Sequence, residues 1–460
     1  MKILLITISA RGHAIAEALA RSKKHPEIIH ICPQRNPGIR KIAKEQHVLR
    51  SLMDFPAILD IAKRTKPDFA FIAPDDPIGG GLADELEKIG IPSIAPKKSL
   101  ARIESSKGFT RELLKKYKID ASPKFRVFSK VSGIKYQVSG MRSFIEDELK
   151  GEYVVKYDGL AGGKGVKVSG EHLHSIEEGV AYAEDCLKDS TQVVIEEKLI
   201  GVEFSLMSFV SGLSVVSMPA VQDHKRAFEG DTGPNTGGMG TYSDADHSLP
   251  FLSKEDLAEA HALNERTAKA LMEECGEPYK GILYGGFIAT ASGVKLIEYN
   301  ARFGDPEALN VLPILSSDFV EICEAILNGN LDTNIVTFEK KATVCLYITP
   351  DSYPERKDRK GEIVKFPNEI PSNARLYFGD IAEDPDGSTG LTTGGTLHLG
   401  GSRTAGIVGI GDSIEEAREV ALTIAQKVEG PVRFRADIGS KELIQKRIEM
   451  MKSLRGGVGL

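Results

Sequence analysis

The segment "VVKYDGLAGGKGVKV", residues Val154–Val168, places four glycines and Lys164 between two runs of β-branched residues. Glycine lets backbone N–H groups approach phosphate oxygens, and lysine adds positive charge. The loop departs from the P-loop pattern at Asp158 and Gly165, and it leads into a strand instead of a helix. We therefore predict a strand–loop–strand flap that covers a nucleotide, with a mobile hairpin tip as the alternative.

A group of acidic residues follows this loop in the stretch "VVIEEKLIGVEFSL". Glu196 and Glu197 end one predicted strand, and Glu203 lies in the next. Carboxylates and backbone groups at such a link can receive the amino group of adenine and the hydroxyls of ribose.

The stretch "LIEYNARFGDPE" is a candidate metal site. Glu298 and Asn300 alternate with apolar residues on a predicted strand, so their side chains share one face, and Arg302 follows on the same face. Carboxylate and amide oxygens suit Mg²⁺, which keeps waters and phosphates as its other ligands. A salt-bridge cluster without a metal is the alternative interpretation.

A long polar segment, "QDHKRAFEGDTGPNTGGMG", runs from Gln222 to Gly240 with five glycines. It is too polar for a core and too rich in alternating charge for a linker. Loops of this length without regular structure are usually functional or disordered, and function is the favoured interpretation. His224 is interpreted as a substrate contact and not as a general base.

The first hundred residues alternate apolar strands with helical patterns, which predicts a doubly wound parallel sheet. Four strands are expected: "KILLIT", "IIHIC", "DFAFIAP" and "IPSIAP". The first turn, "TISARGHA", lacks G-x-G-x-x-G, so a dinucleotide cofactor is not expected. Arg11 lies where a helix N-terminus could hold a phosphate, with a solvated surface arginine as the alternative.

Composition excludes some classes of partner. The 460 residues carry a net charge of −6 without a basic stripe, which argues against nucleic acid. No apolar run approaches the ~18 residues of a membrane span. The five cysteines are far apart and form no CxxC, which favours reduced thiols in a cytoplasmic protein.

The pattern of elements predicts three domains, at 1–103, 104–337 and 338–445, with a smaller lid subdomain at 121–200. One helix is expected over Glu104–Asp120 and another over the stretch "KEDLAEAHALNERTAKALMEEC". The last domain is expected to be β-rich. Residues 132–150 receive no assignment.

The order of these parts resembles the ATP-grasp superfamily, and more closely its phosphoribosylamine–glycine ligase family. The glycine loop, the acidic link, the Gln222–Gly240 segment and "YGGFIATASGVKLIEYNARFGDPE" carry the resemblance, which runs from about Ala73 to Leu312. It implies an α/β fold, α+β in parts. The expected parts are an N-terminal doubly wound parallel-sheet domain, a central ATP-grasp fold and a C-terminal mixed β/α domain.

The resemblance also implies a reaction, in which ATP, glycine and 5-phosphoribosylamine give ADP, phosphate and glycinamide ribonucleotide through glycyl phosphate. The expected cofactors are ATP and Mg²⁺ or Mn²⁺. The expected partners are these small molecules, with no nucleic acid, no membrane and a monomeric chain.

Site residues follow from the resemblance position by position. Those implied to bind ATP are Lys107, Lys156, Gly162, Gly163, Lys164, Glu196, Glu197, Leu199 and Glu203. Those implied to bind metal are Glu298 and Asn300, and the catalytic ones are Arg302, Lys225 and Asp223. Those implied to bind the other substrates are Arg11, His224, Arg226, Asp231, Thr232, Gly233, Asn235, Thr236, Gly237, Gly238, Met239, Asp305 and Pro306. Arg11 is expected to hold the 5-phosphate of the amine.

Two positions depart from the family pattern. The first turn lacks the glutamate that normally follows its arginine, and Asp75 stands where glutamate is usual. Two rival functions stay open. One is another carboxylate ligase on the same fold, such as a carboxylase or a formate-using enzyme of purine metabolism. The other is an ATP-binding regulatory module without turnover.

Overall fold

The computed structural model describes residues 1–130, 134–161, 165–384 and 395–456. The first sheet contains β1 Lys2–Ile6, β2 Glu27–Cys32, β3 Glu45–Val48, β4 Phe69–Ile72 and β5 Ser93–Ile94. Its order is β3-β2-β1-β4-β5 and all pairs are parallel, as the apolar alternation predicted. The edge strand β3 was not foreseen, because three of its four residues, "EQHV", are polar and none of them is buried.

The helix predicted over Glu104–Asp120 is present only as Lys107–Lys116, and seven helices lie between residues 9 and 116. They are α1 Ser9–Ala20, α2 Pro37–Arg40, α3 Phe55–Thr65, α4 Asp75–Gly80, α5 Leu82–Lys88, α6 Lys98–Ser105 and α7 Lys107–Lys116. The helical conformation is interrupted at Ser106. The backbone of this residue is extended, and its hydroxyl accepts from the Phe109 N–H at 3.0 Å. An N-cap of this kind starts a new helix at Lys107.

A small antiparallel sheet carries the glycine loop. Its strands are β6 Phe125–Ser129, β7 Tyr153–Tyr157, β8 Val166–Val168 and β9 Gln192–Glu197, in the order β6-β9-β7-β8. The helices α8 Ile134–Ser143 and α9 Ile176–Asp189, and a π-helical turn at Phe144–Glu148, accompany it. Strands β7 and β8 pair on either side of the loop, as predicted, while Gly162, Gly163 and Lys164 lie outside the described residues.

A larger antiparallel sheet forms the centre of the chain, in the order β11-β10-β16-β17. The elements from residue 201 to 335 are β10 Gly201–Ser211, β11 Ser214–Ser217, β12 Gln222–Asp223, β13 Arg226–Phe228, β14 Thr232–Asn235, β15 Gly240–Ser243, α10 Lys254–Cys275, β16 Lys280–Thr290, β17 Gly293–Asn300, α11 Glu307–Val311, α12 Phe319–Asn328 and a 3₁₀ turn at Thr333–Ile335. Helix α10 covers the whole predicted stretch, with Ser253 and Asp256 forming a capping box.

The segment Gln222–Gly240 is more regular than predicted. Strands β13 and β14 form a hairpin within it, and Asp231 adopts φ +58° beside Gly230 at the turn. Strand β12 pairs with β15, which in turn pairs with a strand about a hundred residues later. These partners are remote in sequence, so local pattern alone could not indicate them.

The C-terminal region contributes the other strands of the sheet that contains β12 and β15. Its elements are β18 Ala342–Pro350, β19 Ile363–Val364, β20 Ala374–Phe378, β21 Ile381–Glu383, β22 Leu397–Leu399, β23 Ala405–Gly411, α13 Ile414–Ala425, β24 Val432–Arg433 and α14 Lys441–Leu454. The sheet runs β12-β15-β18-β23-β20, with β24 also on β18, and β19, β22 and β21 form a separate small sheet. None of the helices in the described part of the chain is long and apolar enough to cross a membrane.

Candidate functional site

A cavity of about 890 Å³ lies among residues from all of these regions. Ser9 comes from the first sheet's domain, Gly159 from the glycine loop, Glu298 from β17 and Arg403 from the C-terminal region. A cavity bounded by several separate sheets can hold several substrates side by side.

Most of the predicted site residues line this cavity. They are Arg11, Lys107, Lys156, Glu203, Asp223, His224, Lys225, Arg226, Asp231, Asn235, Thr236, Gly237, Glu298, Asn300, Arg302 and Asp305. The predicted residues that the structure describes but does not place in the lining are Glu196, Glu197, Leu199, Thr232, Gly233, Gly238, Met239 and Pro306.

Glu196 is buried behind the cavity wall and holds two cations. Its carboxylate accepts from Arg111 through Nε at 2.9 Å and Nη2 at 3.2 Å, and it also pairs with Lys156. Lys156 donates to the Ile297 carbonyl at 3.0 Å and lines the cavity. Burial opposes the charge of Glu196, but Arg111 and Lys156 outweigh it and lower its pKa. Glu196 therefore positions Lys156.

Asp158, at the base of the glycine loop, is fastened to the start of α7. Its carboxylate accepts from the Gly108 N–H at 2.9 Å and from the Ser106 hydroxyl at 3.1 Å, and Gln192 donates to it at 2.7 Å. Lys107, the first residue of that helix, donates to a backbone carbonyl at 2.9 Å and lines the cavity. The loop and the helix N-terminus thus lie together.

Glu298 and Asn300 face the cavity from β17, at positions paired with Gly286 and Tyr284 of β16. The Glu298 carboxylate accepts no hydrogen bond from any described residue and forms no ion pair with one. Burial opposes its ionisation, but Lys107, Lys225, Lys156 and Arg302 outweigh it and lower its pKa to about 2. An ionised carboxylate beside an amide oxygen fits a hard cation.

This donor set is incomplete by itself. The described residues hold no group of three or more His, Cys, Asp or Glu side chains that could bind a metal. Mg²⁺ typically takes one or two protein oxygens and completes its shell with waters and phosphates. The arrangement therefore fits a cation that arrives with a nucleotide.

Arg302 is held by Glu104, which sequence reasoning missed. Their Nη2 and Oε1 atoms lie 3.1 Å apart, and the other Glu104 oxygen accepts from the Ala301 N–H at 2.8 Å. Burial raises the pKa of Glu104, against the lowering effect of Arg302. Glu104 lies in the last turn of α6, so one ion pair fixes the arginine against that helix.

Arg11 lies next to this pair. It is the third residue of α1 and is buried, and its Nη1 donates to the Phe303 carbonyl at 2.6 Å. Burial and the nearby Arg302 lower its pKa to about 10. Its Nε has no partner among the described residues. The guanidinium is thus turned toward the Phe303–Asp305 turn.

Asp223 and Lys225 form a second charged group on the cavity wall. Burial and the neighbouring Glu307 raise the pKa of Asp223 well above its ordinary range, against the effect of Lys225. Lys225 Nζ lies 3.9 Å from a Glu203 oxygen. Desolvation opposes the charge of Lys225, whose side chain is still 45% exposed, but the surrounding acids outweigh it and raise its pKa. Asp223 is therefore suited to take up a proton.

The hairpin of the Gln222–Gly240 segment is anchored to the C-terminal region. Asp231 accepts from Arg435 at 2.9 Å and pairs with Arg447. His224 is buried, its Nδ1 lies 3.2 Å from the Gly240 carbonyl, and burial lowers its pKa to about 4. His224 is therefore neutral near pH 7.

Arg403 joins the same segment to Asp305. Its Nη1 donates to the carbonyls of Gly237 at 2.7 Å and Asp305 at 2.8 Å. The Asp305 carboxylate also accepts from the Ser9 hydroxyl at 2.5 Å and from Tyr347. Arg403 was missed because it lies far along the chain. Its position in the glycine-rich turn "GGSRTAG" between two strands was the available signal.

Comparison with known proteins agrees with this arrangement. The family models for the N domain and the ATP-grasp (A) domain of phosphoribosylglycinamide synthetase match residues 1–104 and 105–308. A phosphoribosylamine–glycine ligase of Methanococcus maripaludis is 45% identical over 460 residues, which cover 99% of this chain and 100% of that protein.

Solved structures show the same likeness. A phosphoribosylamine–glycine ligase from Thermotoga maritima superposes with a TM-score of 0.77 and 28% identity, covering 95% of this chain and 100% of that one. The biotin carboxylase domain of a Hydrogenobacter thermophilus 2-oxoglutarate carboxylase, described with MgADP and bicarbonate, gives a TM-score of 0.70 at 14% identity, covering 100% and 95%. The second likeness concerns the fold alone. The chain belongs to the phosphoribosylglycinamide synthetase family.

Proposed function

We propose that the protein joins glycine to 5-phosphoribosylamine at the expense of ATP, giving glycinamide ribonucleotide, ADP and phosphate in purine biosynthesis. One observation carries the proposal. A single cavity holds the free Glu298 carboxylate, the lysines beside it and the Gln222–Gly240 segment. The relatives named phosphoribosylamine–glycine ligase support the choice of substrates.

ATP is proposed to lie between the two antiparallel sheets. Lys107 and Lys156 contact its α and β phosphates, and Glu203 holds its ribose. Glu197 and Leu199, in the link between β9 and β10, line the adenine pocket, and Glu196 acts through Lys156. Gly162, Gly163 and Lys164, outside the described residues, are proposed to cover the phosphates.

Glu298 and Asn300 are proposed to hold Mg²⁺, or Mn²⁺ in its place. The bound cation would neutralise phosphate charge during phosphoryl transfer. Arg302, fixed by Glu104 at 3.1 Å, adds a second positive charge that needs no rearrangement during the reaction.

The proposed chemistry has two steps. First, a glycine carboxylate oxygen attacks the γ-phosphorus and the bond to ADP breaks, giving glycyl phosphate. Second, the nitrogen of phosphoribosylamine attacks the glycyl carbonyl, the C–O bond to phosphate breaks, and the amine loses a proton. Asp223 is assigned the proton, since its raised pKa suits an acceptor, and Lys225 stabilises the anionic oxygens.

The Gln222–Gly240 segment is proposed to enclose glycine and the amine, together with residues from other parts of the chain. Arg11, Asp305 and Pro306 approach from one side. The residues of the long segment that contribute are His224, Arg226, Asp231, Thr232, Gly233, Asn235, Thr236, Gly237, Gly238 and Met239. We propose a monomeric cytoplasmic enzyme, for which light scattering should give the 49.9 kDa of a single chain.

Release of ADP tests this function directly. We expect ADP to appear when ATP, Mg²⁺, glycine and 5-phosphoribosylamine generated in place are all present. Formate in place of glycine should give background release only. Release with formate would favour the rival carboxylate ligase, and no release with any combination would favour the regulatory module.

The glycine loop is proposed to act as a lid that keeps water from glycyl phosphate. Both of its described arms line the cavity, through Gly159, Leu160 and Ala161 on one side and Gly165 on the other. Replacing Gly162 and Gly163 with valine should raise the KM for ATP and slow turnover, because β-branched residues resist positive φ. Hydrogen exchange should show residues 158–165 protected by nucleotide in the wild type. Equal protection with and without nucleotide would contradict a lid.

A further inference from the structure

We infer that Arg35, in the turn after β2, holds the phosphate group of the amine substrate. The inference rests on the proposed function and concerns one end of the cavity. That end is formed by the Pro33–Asn36 turn of the first domain and by residues 379, 380, 402 and 403 of the C-terminal region.

The division of the cavity follows from its charges. Glu298, Lys107, Lys156 and Glu203 lie in or beside the two antiparallel sheets, where the triphosphate is proposed to bind. The amine must reach the activated glycine near this group, so its sugar phosphate has to extend away from it. The Pro33–Asn36 turn is the longest continuous piece of the lining that the first domain contributes beyond α1.

Arg35 is an exposed cation at this end of the cavity. Among the described residues, no acidic side chain and no carbonyl takes an ion pair or hydrogen bond from its guanidinium. Its neighbours in the turn are already committed. Asn36 accepts from the Gly38 and Ile39 N–H groups, and Gln34 donates to the Ile381 carbonyl at 2.7 Å. A fixed turn that presents a free guanidinium suits a phosphate, which arginine binds through two N–H groups.

His30 gives a second observation at the same wall. The Gln46 amide nitrogen lies 3.1 Å from its Nδ1 and also 3.5 Å from the Asn36 carbonyl, so the amide is the donor and Nδ1 the acceptor. Burial lowers the pKa of this ring to about 4, against the effect of the Thr7 backbone, so the ring is neutral with its proton on Nε2, which makes no hydrogen bond of normal geometry to a described residue. The ring is 1% exposed and belongs to the cavity lining. A buried donor without an acceptor favours an anionic or hydroxyl oxygen nearby.

The adjoining C-terminal wall, to which Gln34 and Asn36 donate at the Ile381 and Phe378 carbonyls, suits a sugar. Asp380 and Ser402 line the cavity there, and neither side chain has a hydrogen-bond partner among the described residues. A carboxylate accepts hydroxyl donors but repels phosphate, so the ribose hydroxyls would face Asp380 and the phosphate would face Arg35.

Arg11 is less suited to the phosphate than its position in α1 indicated. Its Nη1 is engaged by the Phe303 carbonyl at 2.6 Å, it is 5% exposed, and it lies beside Arg302. A phosphate at Arg11 would occupy the space that the transferring phosphoryl group needs.

Kinetics with three variants test the inference. Arg35→Ala should raise the KM for 5-phosphoribosylamine about ten- to hundredfold, with the KM values for ATP and glycine unchanged. Arg40→Ala is the matched control, because Arg40 lies five residues away, pairs with Glu383 at 3.0 Å and is absent from the cavity lining. Its KM values should equal those of the wild type. Arg11→Ala should affect turnover more than the KM for the amine.

Calorimetric binding of ribose 5-phosphate and of ribose gives a readout independent of turnover. The wild type should prefer ribose 5-phosphate, and Arg35→Ala should lose most of that preference. If the wild type turns over but Arg35→Ala keeps both its KM for the amine and its preference, the inference is wrong while the proposed function stands. If Arg11→Ala alone raises that KM, the phosphate lies at Arg11.

Discussion

Replacing Glu298 with glutamine is expected to lower Mg²⁺-dependent turnover at least about a hundredfold while leaving the fold intact. Glu298 is the proposed carboxylate ligand of the cation, and the loss of one charge contact in a transition state typically costs ~3 kcal/mol. Glutamine keeps the size of the side chain and one oxygen, so a loss of turnover would report the charge itself.

The surroundings of Glu298 explain why the effect should be large. Lys107, Lys156, Lys225 and Arg302 all act on this carboxylate and lower its pKa to about 2. Without it, four cations would face the cavity with one negative charge fewer, and a metal ion would meet a more positive site. The Mg²⁺ concentration needed for half-maximal turnover should therefore rise.

Turnover is measured over a range of Mg²⁺ concentrations, with circular dichroism as the check on folding. Glu273→Gln, an exposed change on α10, is the control and should behave as the wild type.

Because the folded pKa of Glu298 lies below its ordinary 4.5, its electrostatic contribution to stability is present above about pH 4.5. That contribution is lost as the pH falls toward 2. Near-normal turnover of Glu298→Gln at low Mg²⁺ would remove Glu298 from the metal site.

The sequence predicted those parts of the fold whose pattern is local. The strands of the first sheet are continuous apolar runs, and Ile3, Leu4, Leu5 and Ile6 are fully buried. Helix α10 carries its own capping box and was predicted over its full length. Strand β3 was missed because it is polar, and its strand character comes from pairing with β2.

Pairing between segments that are remote in sequence limited what could be predicted of the rest of the fold. Strand β15, at the end of the Gln222–Gly240 segment, pairs with β18 through Gly240 and Leu346 and their neighbours. The predicted limits of the central and C-terminal domains stay a prediction, and this sheet draws strands from both sides of residue 338. A hydrophobic pattern reports burial but not the partner strand, so no local rule indicates this pairing.

The candidate site divides in the same way. Residues with a motif, such as Lys156, Glu298 and Asn300, were named from sequence and line the cavity. The residues that hold these side chains in place, such as Arg111 and Glu104, lie in helices without a motif, where an arginine or glutamate usually faces solvent. Only the packing of those helices against β9 and β17 makes them buried partners of site residues.

One such support gives the second large expected effect. Replacing Glu196 with glutamine should lower the free energy of unfolding by about 3–5 kcal/mol, because it leaves Arg111 and Lys156 as buried cations without a counter-charge. Glu196 and Lys156 are 3% and 5% exposed, and Arg111 is 2% exposed. The same variant should raise the KM for ATP, since Lys156 loses the group that positions it.

Urea denaturation of the single and double variants separates charge imbalance from simple loss of contacts. Glu112→Gln, on the exposed face of α7 next to Arg111, is the control and should leave stability within about 0.5 kcal/mol of the wild type. Adding Arg111→Met to Glu196→Gln should destabilise the protein less than the sum of the two single changes, because the double change removes one unpaired cation. Strict additivity would show that the charges do not interact.

The pH dependence of this cluster gives an independent check with a definite sign. The folded pKa of Glu196 is lowered from its ordinary 4.5, so its contribution is present above about pH 4.5 and is lost as the pH falls through the lowered value. The pKa of Lys156 is also lowered, by burial first and by Arg111, although Glu196 acts in the opposite direction. The difference in stability between wild type and Glu196→Gln should shrink below pH 4.5, and a constant difference down to pH 3 would contradict the role of this ion pair.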